Sequence, residues 1–364
     1  MVAAAKDFLK IYWPLVLVAF AGLVLTLMLM DPAPPKTIRF AAGSPGGAYY
    51  AYAERYQRLL GEQDVNVTLI QTAGSVENLR LLDEGSADVA LVQGGLATLG
   101  DAESLRSLGG LFHEPFWVFV RDEAGVKDFG QLRDLRMAIG PDGSGTRLLA
   151  LDLQNEFDGV WPAASRNSLT GIAAADALIE GKLDAAAFAA SPDAVYVQTL
   201  LRAPGISLLP FERAEALSRR QPALAAVVLL RGVVDIGADL PAHDVSLVAP
   251  VAQLVVRKSL HPAIEALLVD SASAIHQDGS LFARAGTFPD PDSTDLPVSR
   301  QVQRYYENGP SFLRRYFSFD LANFLDRAWI LAIPLLTLLF PLVRVAPPIY
   351  RWRVRRKIYI WYKD

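Results

Sequence analysis

Between residues 38 and 93, apolar and polar positions alternate in a way that predicts strand, helix, strand, helix, strand. Residues 37–42 form a short apolar run, and Gly43-Ser44-Pro45-Gly46-Gly47 supplies a tight turn with exposed backbone N–H groups. Tyr49, Tyr52, Tyr56, Leu59 and Leu60 then recur at helical spacing. Residues 65–70 alternate as a strand. Thr72-Ala73-Gly74-Ser75 leads into a helix over 76–82, with Ser75 as the expected N-cap and Gly85 just past the end. Residues 87–93 form a third strand ending in Gln93. This order sets two helix N-termini at the carboxyl ends of parallel strands, where open α/β sheets hold small anions.

Further along, the apolar run 116–120 is the expected crossing between two lobes. A second α/β lobe follows over 121–222, with strands at 135–139 and 184–189 and helices at 146–157 and 173–180. Strands at 223–230 and 245–256 return the chain to the first lobe, which comprises 37–120 and 223–287. Two crossings imply a hinge. Residues 288–297, rich in proline and aspartate, predict a linker that opens a juxtamembrane extension over 288–327.

The chain has 364 residues, enough for two domains. Hydrophobic residues make up 52% of it, and the excess lies at its ends. Residues 11–30 carry no charge and match the ~20 residues that cross a bilayer. No A-x-A cleavage pattern follows, so an uncleaved anchor is expected over a cleaved signal. The run 328–345 contains Pro334 and Pro341, which leaves a buried or re-entrant helix as the alternative to a second span. Arg344, Arg351, Arg353, Arg355, Arg356, Lys357 and Lys363 against Asp364 give the end of the chain a net +6. That basic flank marks a cytoplasmic side, as Lys6 and Lys10 do within residues 1–10. The expected topology therefore has both termini in the cytoplasm of a bacterial inner membrane and the two-lobed domain on the periplasmic or extracellular side.

The whole chain carries −4, so the remainder carries −10, and such a surface does not suit nucleic acid. Tyr350, Trp352, Tyr359, Trp361 and Tyr362 interleave with the cations of the tail 346–364, which suits an anionic lipid leaflet or a protein dock. Disulfides and thiolate metal sites are excluded, since the chain has no cysteine. His113, His243, His261 and His276 lack metal-ligand spacing, and no G-x-S-x-G elbow occurs, so neither metal, cofactor nor catalytic residue is expected. His261 and His276 fall near helix ends and are expected at the surface.

Four stretches occur in the order of one family. They are Gly47-Ala48-Tyr49-Tyr50; Thr72-Ala73-Gly74-Ser75 with the helix start after it; Ala87-Asp88-Val89-Ala90-Leu91-Val92-Gln93; and Ile139-Gly140-Pro141-Asp142-Gly143-Ser144-Gly145-Thr146. Through them the chain resembles the TAXI family, the extracytoplasmic solute-binding proteins associated with TRAP-type transporters. The likeness covers roughly residues 37–290. It implies a two-lobed, type II periplasmic-binding-protein fold that closes on a small anion such as glutamate or a dicarboxylate, with a TRAP-type permease as partner.

Ligand contacts are expected from three places. The turn offers Ser44, Gly46 and Gly47, with Tyr49 or Tyr50 as a wall; an ordinary turn with core tyrosines is the alternative. Around the second helix start stand Thr72, Ser75 and Asn78, with a cap as the alternative use of Ser75 and local backbone as that of Asn78. Gln93 either reaches the cleft or bonds a neighbouring loop. In lobe two, Ser144, Gly145 and Thr146 form a nest of N–H groups and hydroxyls suited to a carboxylate. A P-loop would need Lys where Thr146-Arg147 stand. Arg147 either adds charge or faces solvent. Phe188 and Ser191 form the far wall by family position, with plain core as the alternative for Phe188. Two spans are too few for a permease. A competing function is a ligand-sensing or assembly protein of the envelope that uses the same fold without a transporter.

Overall fold

The structure is a computed structural model that describes residues 33–157 and 166–309 continuously, with scattered positions within 17–24, 312–325 and 348–355. The expected spans at 11–30 and 328–345 and the tail 346–364 lie outside the described residues apart from those positions. Among the described residues no helix is long and apolar enough to cross a membrane.

Residues Pro34–Pro310 form one compact unit containing two α/β layers. The first sheet runs β10-β11-β3-β1-β2, with β4 also paired to β11. Here β1 is Thr37–Gly43, β2 Asn66–Gln71, β3 Val89–Gln93, β4 Leu105–His113, β10 Leu224–Leu229 and β11 Val245–Arg257. The second sheet runs β7-β6-β8-β5-β9, with β5 at Phe116–Arg121, β6 Met137–Ala138, β7 Arg166–Asn167, β8 Ala185–Ala189 and β9 Ile206–Leu208. Strand β1 lies parallel to β2 and β3, and β6 lies parallel to β7 and β8. Helices α1 (Ala48–Gly61) and α2 (Ser75–Asp83) start at the carboxyl ends of β1 and β2. Helices α3 (Gly145–Glu156), α4 (Gly171–Ile179) and α5 (Val195–Arg202) do the same after β6, β7 and β8. The remaining helices are α6 (Ala214–Arg220), α7 (Pro262–His276) and α8 (Arg300–Asn308).

Both lobes repeat one structural clamp. Arg39, at the third residue of β1, donates from its backbone N and its Nε to Asp88 Oδ2 at 2.9 and 3.1 Å, and its Nη2 reaches Gly85 O at 2.7 Å. Arg136, just before β6, makes the same contacts to Asp184 Oδ2 at 3.0 and 2.9 Å and to Gly181 O at 3.1 Å. Gly85 and Gly181 both sit at positive φ, +72° and +74°, just past the ends of α2 and α4, where a side chain would be strained. Each clamp therefore ties the start of one strand to the helix-to-strand turn before its neighbour. Asp88→Ala is expected to lower unfolding free energy by ~1–2 kcal/mol in urea titration, a value reduced for the half-exposed arginine. Asp184→Ala should shift the midpoint in the same direction and by less, since Arg136 is more exposed than Arg39, and an unchanged midpoint in both would show the clamps to be decorative.

The crossings lie elsewhere than expected. Strand 116–120 belongs wholly to the second sheet, and the first crossing is the Glu114-Pro115 step between β4 and β5. The return lies inside β11. Its residues 245–250 pair with β10, while Val251 to Arg257 pair with β4. Leu224, Val227, Leu229, Val245 and Leu247 pack in the core of the second lobe with Trp117, Phe188 and Phe211. The stretch from 223 to about 249 is thus built into lobe two, because the alternating strand pattern reports burial without saying against which sheet. The backbone N–H of Glu114 donates to Pro250 O at 2.9 Å, so the two crossings are hydrogen-bonded to each other.

Residues 288–297 do not behave as a free linker. Asp290 exchanges two backbone hydrogen bonds with Gly110, Pro297 O accepts from Ser107 N, and the Asp295 carboxylate accepts from Gly95 N at 2.7 Å and Ala97 N at 3.2 Å. His276, expected at the surface, is only 8% exposed and lies among Tyr52, Tyr56 and Phe112. His261 does cap α7, its Nδ1 accepting from Ala263 N at 3.1 Å.

Candidate functional site

The carboxyl ends of the parallel strands of both sheets open on one cleft at the crossings. The N-termini of α1, α2, α3 and α4 all line it, through Gly47 and Ala48, Gly74 and Ser75, Ser144 and Gly145, and Thr170. Each helix start presents backbone N–H groups without intrahelical partners and the positive end of its dipole. The cavity between the lobes is about 80 Å³, small beside the ~300–1,000 Å³ of typical ligand pockets. The lobes touch around it: a Cβ built on Gly74 would stand 3.4 Å from Ser144 Cα, and one on Gly145 would overlap the Gln93 amide oxygen. Tyr52 Oη of α1 lies 3.3 Å from Ser191 Oγ, in the segment after β8, adding a buried hydroxyl latch between the lobes.

Of the residues expected to contact a ligand, Ser44, Gly47, Tyr49, Ser75, Gln93, Ser144, Gly145, Thr146 and Phe188 line this cavity. The others serve different ends. Thr72 Oγ1 accepts from Gly43 N at 3.1 Å and donates to Asn78 Oδ1 at 2.5 Å, and Asn78 Nδ2 donates to Leu91 O at 2.8 Å. With Asn78 fully buried, the pair is a strut joining β1, α2 and β3 behind the wall. Arg147 Nε pairs with Asp142 at 2.8 Å and its Nη1 donates to Gly140 O at 2.9 Å, so it braces the loop from outside. Ser191 serves the latch. Gly46 is exposed opposite Ile172 of α4, and Tyr50 is half-buried outside the lining.

Two caps also differ from expectation. Gly74, at φ +136°, caps α2, which frees the Ser75 hydroxyl to accept from Gln93 N at 3.0 Å and to donate to Tyr49 Oη at 3.3 Å. Ser144 is the real side-chain cap, accepting from Arg147 N at 3.2 Å and donating to Pro141 O at 2.7 Å. Thr146 Oγ1 accepts from Ala189 N at 3.0 Å, tying the first turn of α3 to β8. Both hydroxyls therefore fix the loop that presents the N–H groups.

The sequence profile of the NMT1-like family matches residues 40–265, more than half of the chain and nearly all of both lobes. The chain belongs to the NMT1-like family. Its architecture is mixed α/β with two sheets. Among solved structures it is similar to a protein of Bordetella bronchiseptica RB50, at 17% identity and a TM-score of 0.45, covering 67% of this chain and 72% of that one. It is similar too to the alkanesulfonate-binding protein SsuA from Xanthomonas axonopodis pv. citri bound to MOPS, at 16% identity and a TM-score of 0.42, over 67% and 74% of the two chains. An ancestral arginine-binding protein bound to arginine matches at 12% identity and a TM-score of 0.42, over 68% and 96%.

In this NMT1-like chain the cleft is lined by no Lys, Arg or His side chain among the described residues. Its one ionisable carboxyl is Glu114, a residue to which the sequence pattern assigns no role. Glu114 is 2% exposed, and Tyr49 Oη donates to its Oε2 at 2.6 Å. Burial pushes the Glu114 carboxyl up to about 8, with the Tyr49 hydrogen bond opposing the rise. The same burial, with the nearby Glu114 charge, holds the Tyr49 hydroxyl well above the usual phenol range. Ser75, Tyr49 and Glu114 thus form a chain of hydroxyl donors ending on a carboxyl at the hinge. Thr170 and Tyr196 also line the cavity, and no local signal in the sequence singles them out.

Proposed function

We propose that this chain is an extracytoplasmic solute-binding receptor that closes on a small solute bearing an anionic head group, an acidic amino acid or a dicarboxylate. The observation that carries the proposal is the meeting of four helix N-termini, two from each lobe, on one cleft at a double-strand hinge. Neither lobe alone supplies all the donors, so a ligand satisfied only by both favours the closed population by its differential affinity. Donors without a cationic side chain suit a single carboxylate, whose charge is met by N–H groups and helix dipoles. In this reading the chain serves a TRAP-type transport system as a membrane-anchored relative of the TAXI proteins, and the motif order along residues 37–146 supports that assignment.

Titration calorimetry on the purified full-length chain against acidic amino acids, dicarboxylates and keto acids tests it. Saturable binding by one class is expected, with a thermal midpoint that rises with ligand concentration, by ~2.7 kcal/mol of added stability at a hundred times Kd. A flat response across the panel would remove the receptor assignment. Binding without solute uptake by cells that carry the protein would move the function from transport to sensing.

A further inference from the structure

Glu114 is the one feature of the cleft that an anion-binding site does not need. It stands on the crossing step itself, its backbone N–H fixed to Pro250 O of the second crossing at 2.9 Å. Its carboxyl enters the cavity where the four helix N-termini converge. Among the described residues only Tyr49 donates to it, through Oε2, and Oε1 receives no hydrogen bond from them. The groups that face it are neutral hydroxyls, Tyr49 and Tyr52 on α1 and Tyr196 on α5, with Asp193 beyond Tyr52 at 3.5 Å. No cationic side chain among the described residues of either lobe approaches it.

A buried carboxylate with one donor and no counter-charge is costly, and proteins pair such groups or hold them protonated. A receptor that sets this group against a ring of helix N-termini has two poles within one small cavity. One pole attracts negative charge and the other attracts positive charge or a hydrogen-bond donor. A ligand with both groups on one carbon satisfies the two poles together, whereas a dicarboxylate sets a second negative charge near Glu114.

We propose that Glu114 is the ammonium subsite of the cleft and that the solute is an α-amino acid, its carboxylate at the helix N-termini and its amine on Glu114 Oε1. Tyr49 positions the carboxyl from the opposite side, and Ser75 positions Tyr49. This assignment rests on the receptor reading above and narrows its ligand class to amino acids.

The test compares ligand pairs that differ only in the amine: L-glutamate with 2-oxoglutarate, and L-alanine with pyruvate, titrated into the full-length chain at pH 7. The amino acid of at least one pair is expected to bind about 30-fold more tightly than its keto acid, the size of a lost charge-assisted hydrogen bond. Glu114→Gln is expected to erase that ratio by weakening the amino acid about 30-fold while leaving the keto acid nearly unaffected. The wild-type ratio needs no variant, so misfolding of the Glu114→Gln protein would not obscure the result. Keto acids or dicarboxylates that bind as tightly as the amino acids would overturn the ammonium subsite and leave the receptor assignment standing. Binding by none of the pairs would remove both.

Discussion

Gly145→Leu is expected to weaken solute binding by ~100-fold while leaving the melting temperature within ~2 °C of the parent. Gly145 is the first residue of α3, and no positive φ demands glycine there. What demands it is the opposite lobe. A Cβ at this position overlaps the Gln93 amide oxygen, stands 3.1 Å from Gln93 Cδ and 3.4 Å from Ser75 Oγ. Gln93 is itself buried at the end of β3, so its amide has little room to withdraw. With the lobes apart, leucine at a helix start carries no penalty and gains up to ~1 kcal/mol of helix propensity over glycine. Closed, it must separate the two walls, at the ~1–3 kcal/mol typical of overpacking a tight contact. The substitution therefore acts on closure and spares the fold. Gly145→Ala should fall between, about tenfold, with its effect lost in a Gln93→Ala background, where the obstruction is gone. Calorimetry of the four combinations measures the coupling. An additive result, or full affinity in Gly145→Leu, would mean that the lobes do not meet here when ligand is bound.

Much of the fold is legible along the chain because each element has a local cause. The run at 37–42, the glycine turn, and the tyrosines at helical spacing predict β1 and α1, because apolar periodicity and turn glycines act within the segment that carries them. The pattern Glu-Gly-x-x-Asp at 84–88 and again at 180–184 is also present in the sequence, and it is the signature of the two Arg–Asp clamps. Its meaning depends on arginines more than forty residues upstream, which only the parallel pairing brings close. Thr72 and Asn78 show the converse. Polar residues at a helix start read equally well as ligand contacts or as a strut, and the choice is made by Leu91 on a neighbouring strand. Glu114 is the sharpest case. Between a histidine and a proline it has the look of a solvated turn residue, and it becomes buried because two distant strands cross at that step. Local pattern reports which face of an element is covered, and the identity of what covers it is a tertiary fact. The docking of 288–297 and the burial of His276 were illegible for the same reason.

His276→Phe is expected to make the protein less sensitive to acid, with a stability gain over wild type that grows by ~2 kcal/mol between pH 7 and pH 5. His276 stacks on Phe112 with ring centres 5.4 Å apart and meets Tyr52 at 4.7 Å. Its Nε2 is buried without a hydrogen-bond partner among the described residues. Burial, with a smaller contribution from the Arg55 charge, pulls its proton affinity down to about 3. The folded state therefore holds this imidazole neutral, while in the unfolded chain it takes up a proton near 6.5. As pH falls below that value the unfolded state gains the proton first, and stability is lost progressively toward pH 3. Phenylalanine keeps the aromatic contacts, removes the unsatisfied nitrogen and cannot titrate. Any packing offset from its slightly larger ring is the same at every pH, so the difference between the two proteins isolates the imidazole. Carboxyl groups elsewhere are common to both and cancel. Glu114 has the opposite sense: its raised affinity favours the folded state below about 4.5, and that contribution is lost as pH rises through about 8. Urea unfolding of wild type and His276→Phe at pH 7, 6 and 5 gives the answer. A constant difference across the three would mean that His276 is hydrated enough in the native protein to hold its proton, and the aromatic cage behind Tyr52 would then have to be open to solvent.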